Sequence, residues 1–174
     1  MLLDFFNTVA NLKTISRHGW IDKLGINNPE SVSDHTFSLT VMTLIFAELQ
    51  KLDTEKAIKM SLIHDLAESK IGDFMPDQLP KIQKNKLETD AMKNILNDLP
   101  PNLRNDMFNL WNEFLEQKTP ESLLIHDLDK LEMALQAKIY EKRFGCNIQI
   151  FLDSAETQIS NPKIKELFMK ITQQ

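Results

Sequence analysis

Apolar residues recur at helical spacing along nearly the whole chain, and no convincing run alternates with period two. Leu2, Phe5, Phe6, Val9 and Leu12 make a first amphipathic stripe. Ser31-Val32-Ser33-Asp34 offers several N-cap candidates before a helix carrying Phe37, Leu39, Val41, Met42, Leu44, Ile45, Phe46 and Leu49. That helix is apolar almost all round, which predicts a central, buried element. Asp53-Thr54 caps a third helix, from about Glu55 to Ile71, and Gly72 follows at the position where a left-handed residue commonly ends the last turn. Asp73 to Pro80 reads as an ordered loop, and further helices are predicted over 81–98, 102–117, 121–143, 147–159 and 162–172. Pro100-Pro101, Thr119-Pro120 and Asn161-Pro162 mark the breaks, with proline near the first turn of the helix that follows. The fold class is all-α. With no repeat and no linker-like run, residues 1–174 read as one domain.

Composition removes several chemistries. The four glycines include no G-x-G arrangement, so a dinucleotide fingerprint and a P-loop are both excluded. One cysteine, Cys146, excludes an intrachain disulfide framework and a cysteine-rich zinc site, and reads as a packing residue. A net charge of −5 provides no global field for nucleic acid or an anionic membrane. The start, Met1 to Phe6, lacks the cationic region of a signal peptide, and Leu39 to Phe46 is too short to cross a bilayer, so a cytoplasmic location is expected.

Four histidines are left as the chemically flexible residues. In Leu62-Ile63-His64-Asp65-Leu66-Ala67-Glu68, His64 and Glu68 are four apart and Asp65 lies three before Glu68, so one helical turn gathers an imidazole and two carboxylates. Buried charges are costly unless paired or metal-bound, and a divalent ion would compensate them; a solvated helix end is the plainer alternative. His35 begins the most apolar helix, and Asp129 sits in another apolar helix where salt-bridging to a neighbouring lysine is the plainer reading. Together these elements offer an N/O donor set suited to Mn, Fe, Co, Ni or Zn, with Mg also compatible. A second His-Asp pair at His126-Asp127 means that the dipeptide alone discriminates poorly, and position must decide.

The order His35, His64-Asp65, Asp129 resembles the H…HD…D signature of HD-domain metal-dependent phosphohydrolases. The narrower blocks Pro29-Glu30-Ser31-Val32-Ser33-Asp34-His35, His64-Asp65-Leu66-Ala67-Glu68, Ile71-Gly72-Asp73 and Leu128-Asp129-Lys130-Leu131-Glu132 are similar to the small HD-domain 5′-deoxynucleotidases. The resemblance implies an all-α bundle with one divalent metal held by His35, His64, Asp65 and Asp129. It implies hydrolysis of a (deoxy)nucleoside 5′-monophosphate to nucleoside and phosphate by a water that the metal activates. Glu68 and Asp73 match positions that handle the water or its protons, and Arg17 matches the substrate-binding arginine. Some members place tryptophan directly after that arginine; here the position is His18, and tryptophan arrives at Trp20. Arg17, His18, Trp20 and Lys130 are thus the candidates on the substrate side. A homodimer is compatible with the resemblance and with the first apolar stripe. The competing readings are another HD-type phosphohydrolase, a phosphodiesterase or nucleotide pyrophosphohydrolase, and a non-catalytic helical binding module.

Overall fold

Ten helices carry the fold among the described residues, 1–74 and 80–173 of a computed structural model. They are α1 (Leu2–Asn11), α2 (His18–Leu24), α3 (Val32–Gln50), α4 (Thr54–Ile63), α5 (Glu68–Ile71), α6 (Lys81–Leu96), α7 (Pro101–Glu116), α8 (Pro120–Phe144), α9 (Gln149–Gln158) and α10 (Pro162–Thr172). Extended backbone pairs among these residues at a lone antiparallel bridge, Ser16 with Ser31. The all-α expectation therefore holds. Residues 75–79 of the expected loop lie outside the described residues.

Local chemistry sets the boundaries. Ser31 caps α3 through a reciprocal pair of bonds with Asp34: the Asp34 N–H donates to Ser31 Oγ at 3.2 Å, and the Ser31 N–H donates to Asp34 Oδ2 at 2.9 Å. Asp53 caps α4 by accepting from the Lys56 N–H at 2.9 Å. Thr119 caps α8, and Pro101, Pro120 and Pro162 each open a helix where no donor is lost.

The core is organised around α8, which packs against α3, α4, α7, α9 and α10. Leu124, Ile125, Leu128, Leu131 and Ala134 meet Leu39 and Ala47 of α3, Met60 of α4, Phe114 of α7 and Phe168 of α10. Helix α3 departs from the expectation of burial all round. Its inward face carries Val32, His35, Leu39 and Ala47, while Phe37 is 71% exposed and Val41, Leu44, Ile45 and Leu49 also face solvent. The first stripe divides in the same way, with Phe5 and Leu12 inside but Leu2, Phe6 and Val9 outside. Apolar content dictates that a helix forms, but burial needs a neighbour, and the outer faces of α1 and α3 have none among the described residues.

The predicted third helix is broken. Helix α4 stops at Ile63, a turn covers 64–67, and α5 begins at Glu68. The indole N–H of Trp111 donates to the His64 carbonyl at 3.2 Å, occupying an acceptor that a continuous helix would use, and the Glu68 N–H turns instead to the Asp65 carbonyl at 3.0 Å. Gly72 also differs from expectation. Its φ of 82° and ψ of 169° are not left-handed helical but belong to a region open essentially to glycine alone. That geometry sends the chain back from α5 towards α2. No helix among the described residues is long and apolar enough to cross a membrane.

Candidate active site

Three separate devices bring the polar residues together. Residues 15–17 pair with 30–32, the Arg17 N–H donating to the Glu30 carbonyl at 3.1 Å, and this fixes Arg17 at the start of α2. The Ser31 cap fixes the first turn of α3 and so His35. The break after α4 lets His64 and Asp65 turn inward against α8, which supplies Asp129. His64 Nε2 lies 2.9 Å from Asp65 Oδ2, and His35 Nε2 lies 3.2 Å from Asp129 Oδ1 and 3.9 Å from Asp65 Oδ2. Donor atoms of His35, His64 and Asp129 all fall within 4.8 Å of one another.

Both imidazoles are committed on their other nitrogen. His64 Nδ1 donates to the Ser61 carbonyl at 2.7 Å, and His35 Nδ1 faces Glu132 Oε2 at 2.6 Å. Each Nε2 is buried and has no hydrogen-bond partner. Two buried, unpartnered ring nitrogens aimed at two carboxylates are what a divalent cation would satisfy, so the residues fit a metal.

The electrostatics point the same way. Burial opposes ionisation of Asp65, but His64, Arg17 and His35 hold its carboxyl well below the usual range. Asp129 is depressed too, burial being outweighed by Lys130, His35 and Arg17. Burial and Arg17 work against protonation of His35, yet the facing carboxylates of Asp129 and Glu132 prevail and raise it to about 9. That proton supplies part of the positive charge that a cation would bring. Glu68 behaves in the opposite sense: burial first, then Asp65 and Asp73, push its carboxyl well above the ordinary value, and its Oε2 has no partner.

Arg17 reaches both carboxylates, at 3.5 Å from Asp65 Oδ2 and 4.0 Å from Asp129 Oδ1. Lys130 Nζ lies 2.7 Å from Asp129 Oδ2. These residues, with Glu68, Asp73 and Lys84, border a cavity of about 310 Å³, which is the lower end of the range for small-molecule sites. Trp20 borders it as well, but the ring is only 1% exposed, packed at 4.3 Å from Phe151 and 5.2 Å from Tyr140. A sugar or base therefore has no face of Trp20 to stack on. His18 is occupied in holding Asp73: its N–H donates to Asp73 Oδ2 at 2.8 Å, and its Nδ1 faces the Asp73 carbonyl at 3.0 Å. His126 stacks on Phe114 at 4.2 Å and donates from Nε2 to the Phe114 carbonyl at 3.0 Å. Asp127 accepts the N–H groups of Ser160 and Asn161, each at 2.8 Å, between α9 and α10. The second His-Asp pair is thus taken up by structure.

Two acids escaped the sequence reading. Glu132 backs His35, and Glu30 accepts the Trp20 indole N–H at 2.9 Å. Glu132 stands three residues after Asp129, on the same face of α8, which was the available signal. Burial, then the Glu132 charge, pushes Glu30 up to about 7 from its ordinary 4.5. Folded Glu30 therefore holds its proton more tightly than unfolded Glu30, so stability falls as pH rises from 4.5 to about 7 and levels off beyond. A Glu30→Gln change keeps the indole acceptor and removes the titration. In denaturant melts of metal-free protein, the variant should match the wild type near pH 4.5 and exceed it at pH 8 by about 3 kcal/mol. Equal loss of stability in both proteins over that interval would refute this account.

An HD domain profile matches residues 9–172. A 5′-deoxynucleotidase HDDC2 from Dictyostelium discoideum is 39% identical over 182 residues, covering 97% of this chain and 95% of the relative. The human 5′-deoxynucleotidase HDDC2 is 35% identical over 173 residues, covering 98% of this chain and 84% of the relative. Among solved structures, a conserved hypothetical protein from Pyrococcus furiosus superposes with a TM-score of 0.84 at 32% identity, covering 99% of each chain.

Proposed function

The chain belongs to the HD-domain family, and from that premise we propose that it hydrolyses 2′-deoxynucleoside 5′-monophosphates to nucleoside and inorganic phosphate. The two buried, unpartnered imidazole nitrogens that face Asp65 and Asp129, behind the cavity those carboxylates share with Arg17, carry this reading. The 5′-deoxynucleotidase relatives supply the substrate class. The whole chain acts as one HD domain. A cytoplasmic setting, where free nucleotides are found, goes with this reading.

Charge supports it. The cavity is bordered by the carboxylates Asp65, Glu68, Asp73 and Asp129 and by the cations Arg17, Lys23, Lys84 and Lys130, four of each. With Glu68 protonated, a divalent ion held by His35, His64, Asp65 and Asp129 would leave the site with an excess of positive charge, which suits a phosphate monoester. When bound, such an ion lowers the pKa of water and draws charge from a phosphoryl oxygen. A transition ion such as Mn, Fe, Co, Ni or Zn suits the mixed N/O donors.

The chain's own residues do the rest. Arg17, pinned between Asp65 and Asp129, directs its remaining donors at the phosphoryl oxygens. Lys130 neutralises Asp129 and flanks the same group. Hydrolysis joins a water oxygen to phosphorus and breaks the bond from phosphorus to the 5′ oxygen, which must leave with a proton. Glu68, buried and favouring its protonated form, gives that proton. Asp73, anchored by His18, receives the proton of the attacking water.

A phosphate-release panel tests the reading, using metal-free protein reloaded with one divalent ion at a time. Deoxynucleoside 5′-monophosphates should yield phosphate and nucleoside, with the ribonucleotides slower. A metal-loaded protein releasing no phosphate from any nucleoside 5′-monophosphate would sink it.

A second copy of the chain is the occupant proposed for the outer α1–α3 face. Val9, Phe37, Val41 and Leu62 line an apolar groove there, and a two-fold pairing would bury it against itself. Sedimentation at micromolar concentration should give about twice the 20.2 kDa chain mass; a 20.2 kDa species throughout would refute the dimer.

A further inference from the structure

Beyond Asp129 the cavity continues along α8 to Met133, one helical turn further on, and then runs against α9. Helix α9 presents Ile150, Ser154 and Gln158 to it, spaced four apart and so forming one stripe. The helix also carries Asp153 and Glu156, but neither borders the cavity. Charge is thus concentrated around Asp65 and Asp129, while the α9 wall is uncharged. Phe151 packs on Trp20 at 4.3 Å, which ties α9 to the same helix that begins at Arg17. Gln158 Nε2 donates to Ser154 Oγ at 2.8 Å, at the rim of the stripe.

A nucleoside monophosphate has two unlike ends, a charged phosphate and a base with apolar faces and a hydrogen-bonding edge. We propose that the α9 stripe is the nucleobase seat of this site, an inference that rests on the nucleotidase reading above. Ile150 and Met133 take the faces of the base, and the Ser154–Gln158 pair meets its edge. The Gln158 amide offers both a donor and an acceptor and can turn over, so it serves every base. Discrimination among bases is consequently shallow, and the stripe contributes affinity more than selection.

Calorimetric titration of the metal-loaded protein tests this with two probes, 2′-deoxyadenosine and inorganic phosphate. Ile150 is 53% exposed, so Ile150→Ala removes cavity wall without touching the core. It should weaken deoxyadenosine binding by roughly 3- to 10-fold, less than the ~10-fold or more of a methylene lost from an enclosed pocket because this wall is half open to solvent, and leave phosphate binding unchanged. Arg17→Ala should show the reverse pattern. Equal effects of Ile150→Ala on both probes, or none on deoxyadenosine, would overturn the seat. Because the readout is binding, a failed seat is distinguishable from a failed nucleotidase reading, which the phosphate-release panel reports.

Discussion

Asp129→Ala is expected to empty the metal site: bound metal should fall from about one per chain to background, and turnover by at least ~10³-fold. The carboxylate lies 3.2 Å from His35 Nε2 and 2.7 Å from Lys130 Nζ. Its removal takes away a donor and leaves Lys130 and Arg17 crowding the place where a cation would bind. His64→Ala should give the same two losses from the other side, since His64 Nε2 has no second duty in the fold. Elemental analysis, phosphate release and far-UV circular dichroism separate loss of metal from loss of structure. Asp127→Asn is the control. It weakens the bonds to Ser160 and Asn161 and should cost about 1–3 kcal/mol of stability, with metal and turnover retained. An Asp129→Ala protein with full metal and normal turnover would end the assignment.

The second large effect is expected at Glu68→Gln. This change preserves shape and removes the proton, so metal content should hold while turnover falls about 10²-fold or more. The pH profile carries the mechanism. A group that donates a proton must be protonated, and Glu68 is held well above the ordinary carboxyl value by burial, then by Asp65 and Asp73. The wild-type rate should therefore decline on the alkaline side as Glu68 ionises, and Glu68→Gln should lack that limb. A variant that keeps the limb at reduced rate would move the donor role to Asp73.

Much of this arrangement was legible before the fold was known, and the gaps have physical causes. Period and capping residues located α3, α4, α7, α8 and α10, because spacing and proline chemistry act locally. Helix α2 was missed since seven residues leave too little periodicity to read. The inward and outward faces of α3 could not be told apart, as both are apolar and only the positions of α4 and α8 decide between them. The break at 64–67 depends on Trp111, 47 residues away, which no local signal reports. His35, His64, Asp65 and Asp129 stood out as polar residues in apolar surroundings, and the fold brings them together. Glu30 and Glu132 did not, because a carboxylate supporting another side chain has the same local pattern as a solvated one.

Gly72 has a bearing on sequence variants of this protein. Nothing lies within 4 Å of where a Cβ would sit, so a larger residue there would be sterically free. Its φ of 82° is nevertheless one that other residues adopt only under strain, on the order of 1–3 kcal/mol. The chain could relieve that strain by swinging outward, and the next residue is Asp73, whose carboxylate is held by the N–H of His18. A substitution at 72 would pass as harmless by volume and by charge. Its damage would be directional, disarming the site while every reactive side chain remained in the sequence.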